Sequence, residues 1–215
     1  MKRALTIAAL LALLIAGGAL YARFAPGRGE YPSPNGGPAI GKPAPEFTAV
    51  DTYGKTHSLS QYRGKWVVLE WVNYDCPYVG KHYNSHTMQA LQKKYTDKGV
   101  VWLSIVSSAP GNQGNYPNDE MNALTKEKGA SPSALLVDAS GAVGHLYDAR
   151  TTPHMFVINP QGTLLYMGGI DDKPGTRVVD LKTARPHVDM ALQEAMSGKP
   201  VSVPTSQPYG CSVKY

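Results

Sequence analysis

Residues 65–77 read KWVVLEWVNYDCP and carry the strongest structural signal in the chain. Its first nine residues are rich in β-branched and aromatic side chains, which favour a strand buried in a sheet. Pro77 suits the first position of an α-helix, because its ring fixes a helical φ and no backbone donor is needed there. The stretch therefore predicts a central strand followed directly by a helix, with Cys76 at the junction.

The chain on either side alternates between strand and helix patterns. A hairpin is predicted over residues 47–59, a long helix from Pro77 to about Thr96, and a last helix from Pro186. Further strands are predicted at 100–107, 134–138, 154–158 and 163–167, and shorter helices near 118–128 and 143–149. Alternation of this kind predicts an α/β fold, in which helices cover both faces of a sheet that contains parallel strands.

Both ends of the chain differ in composition from this middle part. Residues 1–22 begin with two basic residues and continue as an uncharged apolar run, which is typical of a signal peptide or a membrane anchor. Either one exports the rest of the chain, because the positive charge stays on the cytoplasmic side. Residues 23–44 contain five prolines and five glycines and predict a linker. Residues 199–215 show no helical or strand periodicity and predict a tail that carries Cys211.

Composition and charge exclude several classes of protein. The chain has 215 residues, of which 42% are hydrophobic and 17% charged, so it is not disordered throughout. Most of the net charge of +5 lies in the first 30 residues, and the remainder lacks the basic stripe of a nucleic-acid-binding protein. His82 and His86 share a helix face that Cys76 does not reach, so solvated helix histidines are expected there and no metal site. No organic cofactor is expected either.

The position of Cys76 leaves two interpretations open. Free N–H groups and the partial positive charge at a helix N-terminus stabilise a thiolate, which is the nucleophilic form. A protonated His154 would lower the thiol pKa further, whereas an inward-pointing Asp75 carboxylate would raise it. A buried core thiol without chemistry is the alternative.

Several motifs follow one another along the chain: Gly41-Lys-Pro-Ala-Pro45, Asp51-x-x-Gly54, Gly64-Lys65, Cys76-Pro77, Asp138-x-x-Gly141, Thr152-Pro153 and Pro160-x-Gly162. Taken in this order, they resemble the redoxins. These form the thioredoxin-like superfamily that contains alkyl-hydroperoxide-reductase-like (AhpC/TSA) proteins and exported thiol-disulfide oxidoreductases. The resemblance implies a thioredoxin-like fold for residues 45–198, with a central mixed sheet flanked by helices and an N-terminal β-hairpin extension.

The same resemblance implies roles for individual residues. Cys76 is the reactive thiol, and Glu70 is a buried acid that would pass protons to and from it; an outward-facing strand residue is the alternative for Glu70. Pro153 matches a cis proline opposite the thiol, with a trans loop proline as the alternative. The ring of Pro153 leaves the Thr152 backbone available to pair with an incoming extended chain.

The chain departs from both thiol patterns of these proteins. Val79 stands where thioredoxins carry the second cysteine of Cys-x-x-Cys. Leu69 and Asn73 stand where peroxiredoxins carry the proline and threonine that orient a peroxide. Cys211 is then the only possible partner for Cys76 in the chain. It is the resolving member of a catalytic pair, one half of a static disulfide, or a free thiol.

The function favoured by these observations is that of an exported, periplasmic or otherwise extracytoplasmic thiol oxidoreductase with antioxidant activity. Its expected partners are a disulfide or peroxide substrate and an external thiol electron donor, with a possible membrane anchor and no nucleic acid. The alternative is a non-catalytic binding module of the same fold, in which a Cys76–Cys211 disulfide is structural.

Overall fold

A computed structural model of the protein describes residues 37–215. The predicted signal peptide or anchor, and the predicted linker up to residue 36, lie outside the described residues. The helices found from residue 37 onward are too short or too polar to cross a bilayer.

The described residues form nine strands and five α-helices. The strands are β1 (Thr48–Asp51), β2 (Thr56–Ser58), β3 (Val67–Trp71), β4 (Val101–Val106), β5 (Ala134–Val137), β6 (Thr151–Thr152), β7 (His154–Ile158), β8 (Leu164–Gly168) and β9 (Cys211–Ser212). The helices are α1 (Pro77–Asn84), α2 (Thr87–Thr96), α3 (Asn118–Glu127), α4 (Ala142–Leu146) and α5 (His187–Met196). Short 3₁₀ helices span Leu59–Tyr62 and Val178–Thr183.

Seven of the strands build one mixed sheet in the order β2-β1-β5-β4-β3-β7-β8. Its centre is parallel, with β4 between β3 and β5, and both edges are antiparallel. The predicted α/β fold with a central mixed sheet is therefore confirmed. The predicted hairpin extension is β1 and β2, which join the sheet through pairing of Val50 with Val137.

Strand β3 is buried on both faces of the sheet, which explains why its sequence is hydrophobic at every position except Glu70. All five of its residues are buried, because side chains alternate between two apolar layers. Val68 lies in the layer that contains side chains of α1, α2 and α5. Leu69 and Trp71 lie in the opposite layer, with side chains of α4.

The helix predicted from Pro77 to Thr96 is two helices. The chain breaks at Ser85 and His86, where His86 adopts a left-handed conformation with φ 59°. Non-glycine residues seldom adopt this conformation, and no Gly or Pro in the sequence marks the position. The prediction of one continuous helix was therefore wrong.

Segments predicted as linker and tail make regular contacts with the sheet region. Gly41 and Ala44 donate backbone hydrogen bonds to the carbonyls of Leu164 and Gly162, at 2.8 and 2.9 Å. At the other end, β9 pairs antiparallel with β6 in a separate two-stranded sheet. The packing thus includes residues that the sequence patterns leave outside the domain.

Candidate active site

The sulfur of Cys76 lies at the point where β3 passes into α1. Cys76 is the N-cap of α1, and its backbone N–H donates to the Asn73 carbonyl at 3.0 Å. The Asn73 side chain accepts from the Asp75 N–H at 3.0 Å and so closes the turn that presents the cysteine. Cys76 is only 1% exposed. The position predicted from the sequence is correct, and the local turn holds the thiol inward.

Four of the five predicted site residues meet at this point. The Cys76 Sγ donates to the Thr152 carbonyl at 3.1 Å, and the Thr152–Pro153 peptide bond is cis, so the trans alternative was wrong. Thr152 is paired in register with Cys211 across the β6–β9 ladder. Both cysteines are free thiols, and Cys211 is near enough to influence the pKa of Cys76. The tail therefore brings Cys211 to Cys76.

The two thiols have pKa values displaced in opposite directions. Burial raises the pKa of Cys76, but the Cys211 thiol, the Thr152 hydroxyl and the Val79 backbone favour the thiolate as donors, outweigh burial and hold that pKa below its ordinary value. Burial and the neighbouring Cys76 raise the pKa of Cys211 to about 11. Cys76 is therefore the first of the pair to ionise, and Cys211 remains a protonated donor to its thiolate.

Asp75 and His154, which could each shift the pKa of Cys76, bring no charge to the thiol near pH 7. Asp75 is exposed, and its carboxylate accepts from the Tyr116 hydroxyl at 2.7 Å, so it does not face the thiol. Burial lowers the pKa of His154 to about 3. His154 is therefore neutral near pH 7 and supplies no positive charge there.

Glu70, the fifth predicted residue, is fully buried, so the outward-facing alternative was wrong. Burial raises the pKa of its carboxyl group, and hydrogen-bond donors act in the opposite direction. Four side chains donate to it: Trp102 at 2.7 Å, Ser104 at 2.9 Å, Gln92 at 3.0 Å and Tyr83 at 3.1 Å. These bonds fix the carboxylate within the core layer that also contains Cys76, and a proton relay between the two stays a prediction.

A buried polar cluster beside the site was missed by sequence reasoning. The Lys81 Nζ donates to the Tyr209 hydroxyl at 3.0 Å, and that hydroxyl donates to the Asp171 carboxylate. The His82 Nε2 lies 3.2 Å from the same hydroxyl. His82 is fully buried, so its interpretation as a solvated helix residue was wrong, and burial lowers its pKa to about 3. No periodicity in the sequence indicates that these residues meet.

Thr152→Val should raise the pKa of Cys76. The Thr152 hydroxyl is buried and has no hydrogen-bond partner while Cys76 is a protonated thiol. Its removal should therefore change the free energy of the thiol form little. The thiolate, by contrast, loses a hydrogen-bond donor and becomes less stable. We expect the pH profile of Cys76 alkylation by iodoacetamide, followed by peptide mass spectrometry, to move to higher pH. Thr152→Ser keeps the hydroxyl and should leave the profile in place; an unmoved profile in Thr152→Val would show that the hydroxyl does not act on the thiolate.

Comparison with known sequences matches the chain to a protein family and to curated proteins. The model of the AhpC/TSA family matches residues 40–167. The chain is 31% identical over 138 residues to the selenocysteine-containing peroxiredoxin PrxU of Peptoclostridium acidaminophilum, covering 59% of this chain and 65% of that protein. It is 28% identical over 127 residues to the thiol-disulfide oxidoreductase ResA of Geobacillus kaustophilus strain HTA426, covering 53% of this chain and 72% of that protein. The match thus spans just under two thirds of the peroxiredoxin.

Solved structures share the fold. An uncharacterized conserved protein from Geobacillus kaustophilus superposes with a TM-score of 0.69 at 24% identity, covering 82% of this chain and 92% of that one. A putative thiol:disulfide interchange protein DsbE from Chlorobium tepidum gives a TM-score of 0.51 at 21% identity, covering 75% and 97%. At these identities the likeness concerns the fold alone, and it confirms the predicted thioredoxin-like architecture.

Proposed function

The chain belongs to the AhpC/TSA family, and on that premise we propose that it is a thiol oxidoreductase in which Cys76 and Cys211 form a catalytic pair. One observation carries the proposal: Cys211 pairs with Thr152, whose carbonyl accepts from the Cys76 Sγ at 3.1 Å, and the two thiols have pKa values displaced in opposite directions. A nucleophile that ionises readily beside a thiol that stays protonated is the arrangement that a two-step thiol exchange needs.

With a disulfide substrate, the first step is attack of the Cys76 thiolate on one substrate sulfur. A Cys76–substrate disulfide forms, the substrate S–S bond breaks, and the second substrate sulfur leaves as a thiolate that takes up a proton. Cys211 then loses its proton and attacks the Cys76 Sγ, which releases the remaining substrate thiol. The product is a Cys76–Cys211 disulfide, and the substrate has gained two electrons and two protons.

A hydroperoxide substrate leads to the same intramolecular disulfide. The Cys76 thiolate attacks the terminal peroxide oxygen, the O–O bond breaks, and an alcohol leaves once the departing oxygen is protonated. The resulting Cys76 sulfenic acid condenses with the Cys211 thiol and releases water. An external dithiol reduces the disulfide in either case and restores both thiols.

Two supporting roles belong to the proposal. The Thr152 hydroxyl donates to the Cys76 thiolate, and Pro153 shapes the loop that places the Thr152 carbonyl 3.1 Å from the sulfur. Glu70 accepts or releases a proton within the same core layer. Export is also proposed, and its support is the basic and apolar composition of residues 1–22.

Steady-state turnover tests the proposed function directly. Reduced protein, supplied with a dithiol donor and either an alkyl hydroperoxide or a small aromatic disulfide, should oxidise the donor faster than the same mixture without protein. The rate should increase in proportion to protein concentration. A rate equal to the protein-free background with both substrates would favour a binding module whose Cys76–Cys211 disulfide is static.

A further inference from the structure

The last part of the tail, residues 208–215, lies along the backbone edge of β6 next to Cys76. Thr151 pairs with Ser212 and Thr152 with Cys211 in the antiparallel β6–β9 ladder. The Thr152 carbonyl also accepts the hydrogen bond of the Cys76 Sγ at 3.1 Å. An extended chain on this edge is therefore held directly beside the sulfur of Cys76.

This arrangement places Cys211 where the cysteine of a polypeptide substrate would have to lie. An extended substrate chain that brings its own sulfur to Cys76 uses the backbone edge of Thr152, because extended chains dock on open strand edges through main-chain hydrogen bonds. In the structure that edge is taken by the tail. Cys76 is 1% exposed beneath it.

Gly210 allows the tail to approach this closely. It has φ +145°, and a Cβ atom at this position would lie 2.1 Å from the Thr152 carbonyl oxygen and 2.7 Å from its carbonyl carbon. Any other residue would push the tail away from β6. The close fit between tail and loop depends on this one glycine.

The tail is held on both sides of the short ladder. Before it, Tyr209 is bound through its hydroxyl to Lys81 and Asp171 in the buried polar cluster. After it, the Tyr215 ring stacks on His145 with 3.9 Å between centroids, and its hydroxyl donates to the Ala149 carbonyl at 2.7 Å. The ladder between these two attachments is the weaker part, since it contains only two residue pairs.

We propose that the C-terminal tail, residues 208–215, is a built-in occupant of the polypeptide-substrate edge and that it restricts Cys76 to small disulfides or hydroperoxides. The proposal rests on the proposed function and adds its substrate class. A small molecule reaches the Cys76 sulfur once the Cys211 side chain rotates aside. A polypeptide disulfide has to remove the whole ladder and break its main-chain hydrogen bonds.

The test compares two single-thiol proteins. Cys211→Ser keeps the tail and isolates the first step, and Gly210→Val in the Cys211→Ser background lifts the tail from Thr152. Stopped-flow absorbance measures release of thionitrobenzoate by Cys76 from a small aromatic disulfide and from an extended peptide that carries the same leaving group. We expect Gly210→Val to raise the peptide rate relative to the small-molecule rate by about tenfold, the factor that loss of one or two net hydrogen bonds gives.

A second variant covers the case in which valine distorts the loop. Deletion of residues 208–215 removes the tail altogether and should raise the same ratio of rates. An unchanged ratio in both variants would overturn the inference while leaving the thiol chemistry intact. If Cys211→Ser itself reacts with neither reagent faster than an unfolded cysteine peptide, the proposed function fails as well.

Discussion

A Cys76→Ser protein is expected to lose turnover with both hydroperoxide and disulfide substrates, by at least about 1,000-fold. The hydroxyl group replaces the thiol with little change in shape, and it can keep the hydrogen bond that the Sγ donates to the Thr152 carbonyl. Cys76 sits in a buried layer whose packing the substitution hardly alters. Serine is not ionised near neutral pH, however, so the substitution removes the nucleophile. The loss should therefore be chemical rather than structural.

The measurement is the steady-state rate of dithiol oxidation, with the urea unfolding midpoint as the control for folding. We expect a midpoint close to that of the wild type together with background turnover. Turnover within a few-fold of the wild type would remove Cys76 from the mechanism and leave the chain as a fold without the proposed chemistry.

A Cys211→Ser protein is expected to complete the first step and stop. The serine hydroxyl still offers a donor to the Cys76 thiolate, as the Cys211 thiol does. Attack on substrate should therefore remain, whereas the second disulfide exchange has no sulfur to carry it. With one equivalent of a disulfide substrate and no dithiol, a covalent Cys76–substrate adduct should accumulate to nearly one per chain.

Intact-protein mass spectrometry detects this adduct, and Cys211→Ala separates the two roles of the residue. Alanine removes the donor as well as the sulfur, so its adduct should form more slowly near neutral pH than in Cys211→Ser. Should Cys211→Ser release both substrate thiols without an adduct, at the wild-type rate, Cys211 would not be the resolving thiol.

Much of the site could be predicted from local sequence. The run of β-branched and aromatic residues before Cys76 specifies a strand buried on both faces, and Pro77 marks the start of the following helix. These two signals place the thiol at a helix N-terminus, and the structure has it there. The cis peptide bond before Pro153 followed from the family resemblance and not from the residues alone.

The partners of Glu70 could not be predicted, because they come from separate elements. Tyr83 and Gln92 lie on α1 and α2, while Trp102 and Ser104 lie on β4, and only the tertiary fold brings their donors to one carboxylate. Periodicity indicates which face of an element is buried. It carries no information on which polar atoms meet in the core.

The position of the tail could not be predicted from the sequence for a related reason. Its ladder with β6 is two residues long, which is too short for an alternating pattern, and its attachment depends on the contact of Tyr209 with Lys81 and Asp171. A lysine in a helix sequence ordinarily indicates an exposed face, and Lys81 is buried because it is paired. The sequence therefore left the pairing of Cys211 open.

Thiol trapping after a single oxidation shows whether Cys76 and Cys211 act as a catalytic pair. Fully reduced wild-type protein receives one equivalent of oxidant, is quenched in acid, alkylated, digested and analysed by mass spectrometry. We expect both cysteines to lose alkylation together, the peptides of Cys76 and Cys211 to be joined by a disulfide, and a dithiol to separate them again. Oxidation of Cys76 with Cys211 still fully alkylated, or a joined pair that the dithiol leaves intact in the folded protein, would contradict this expectation.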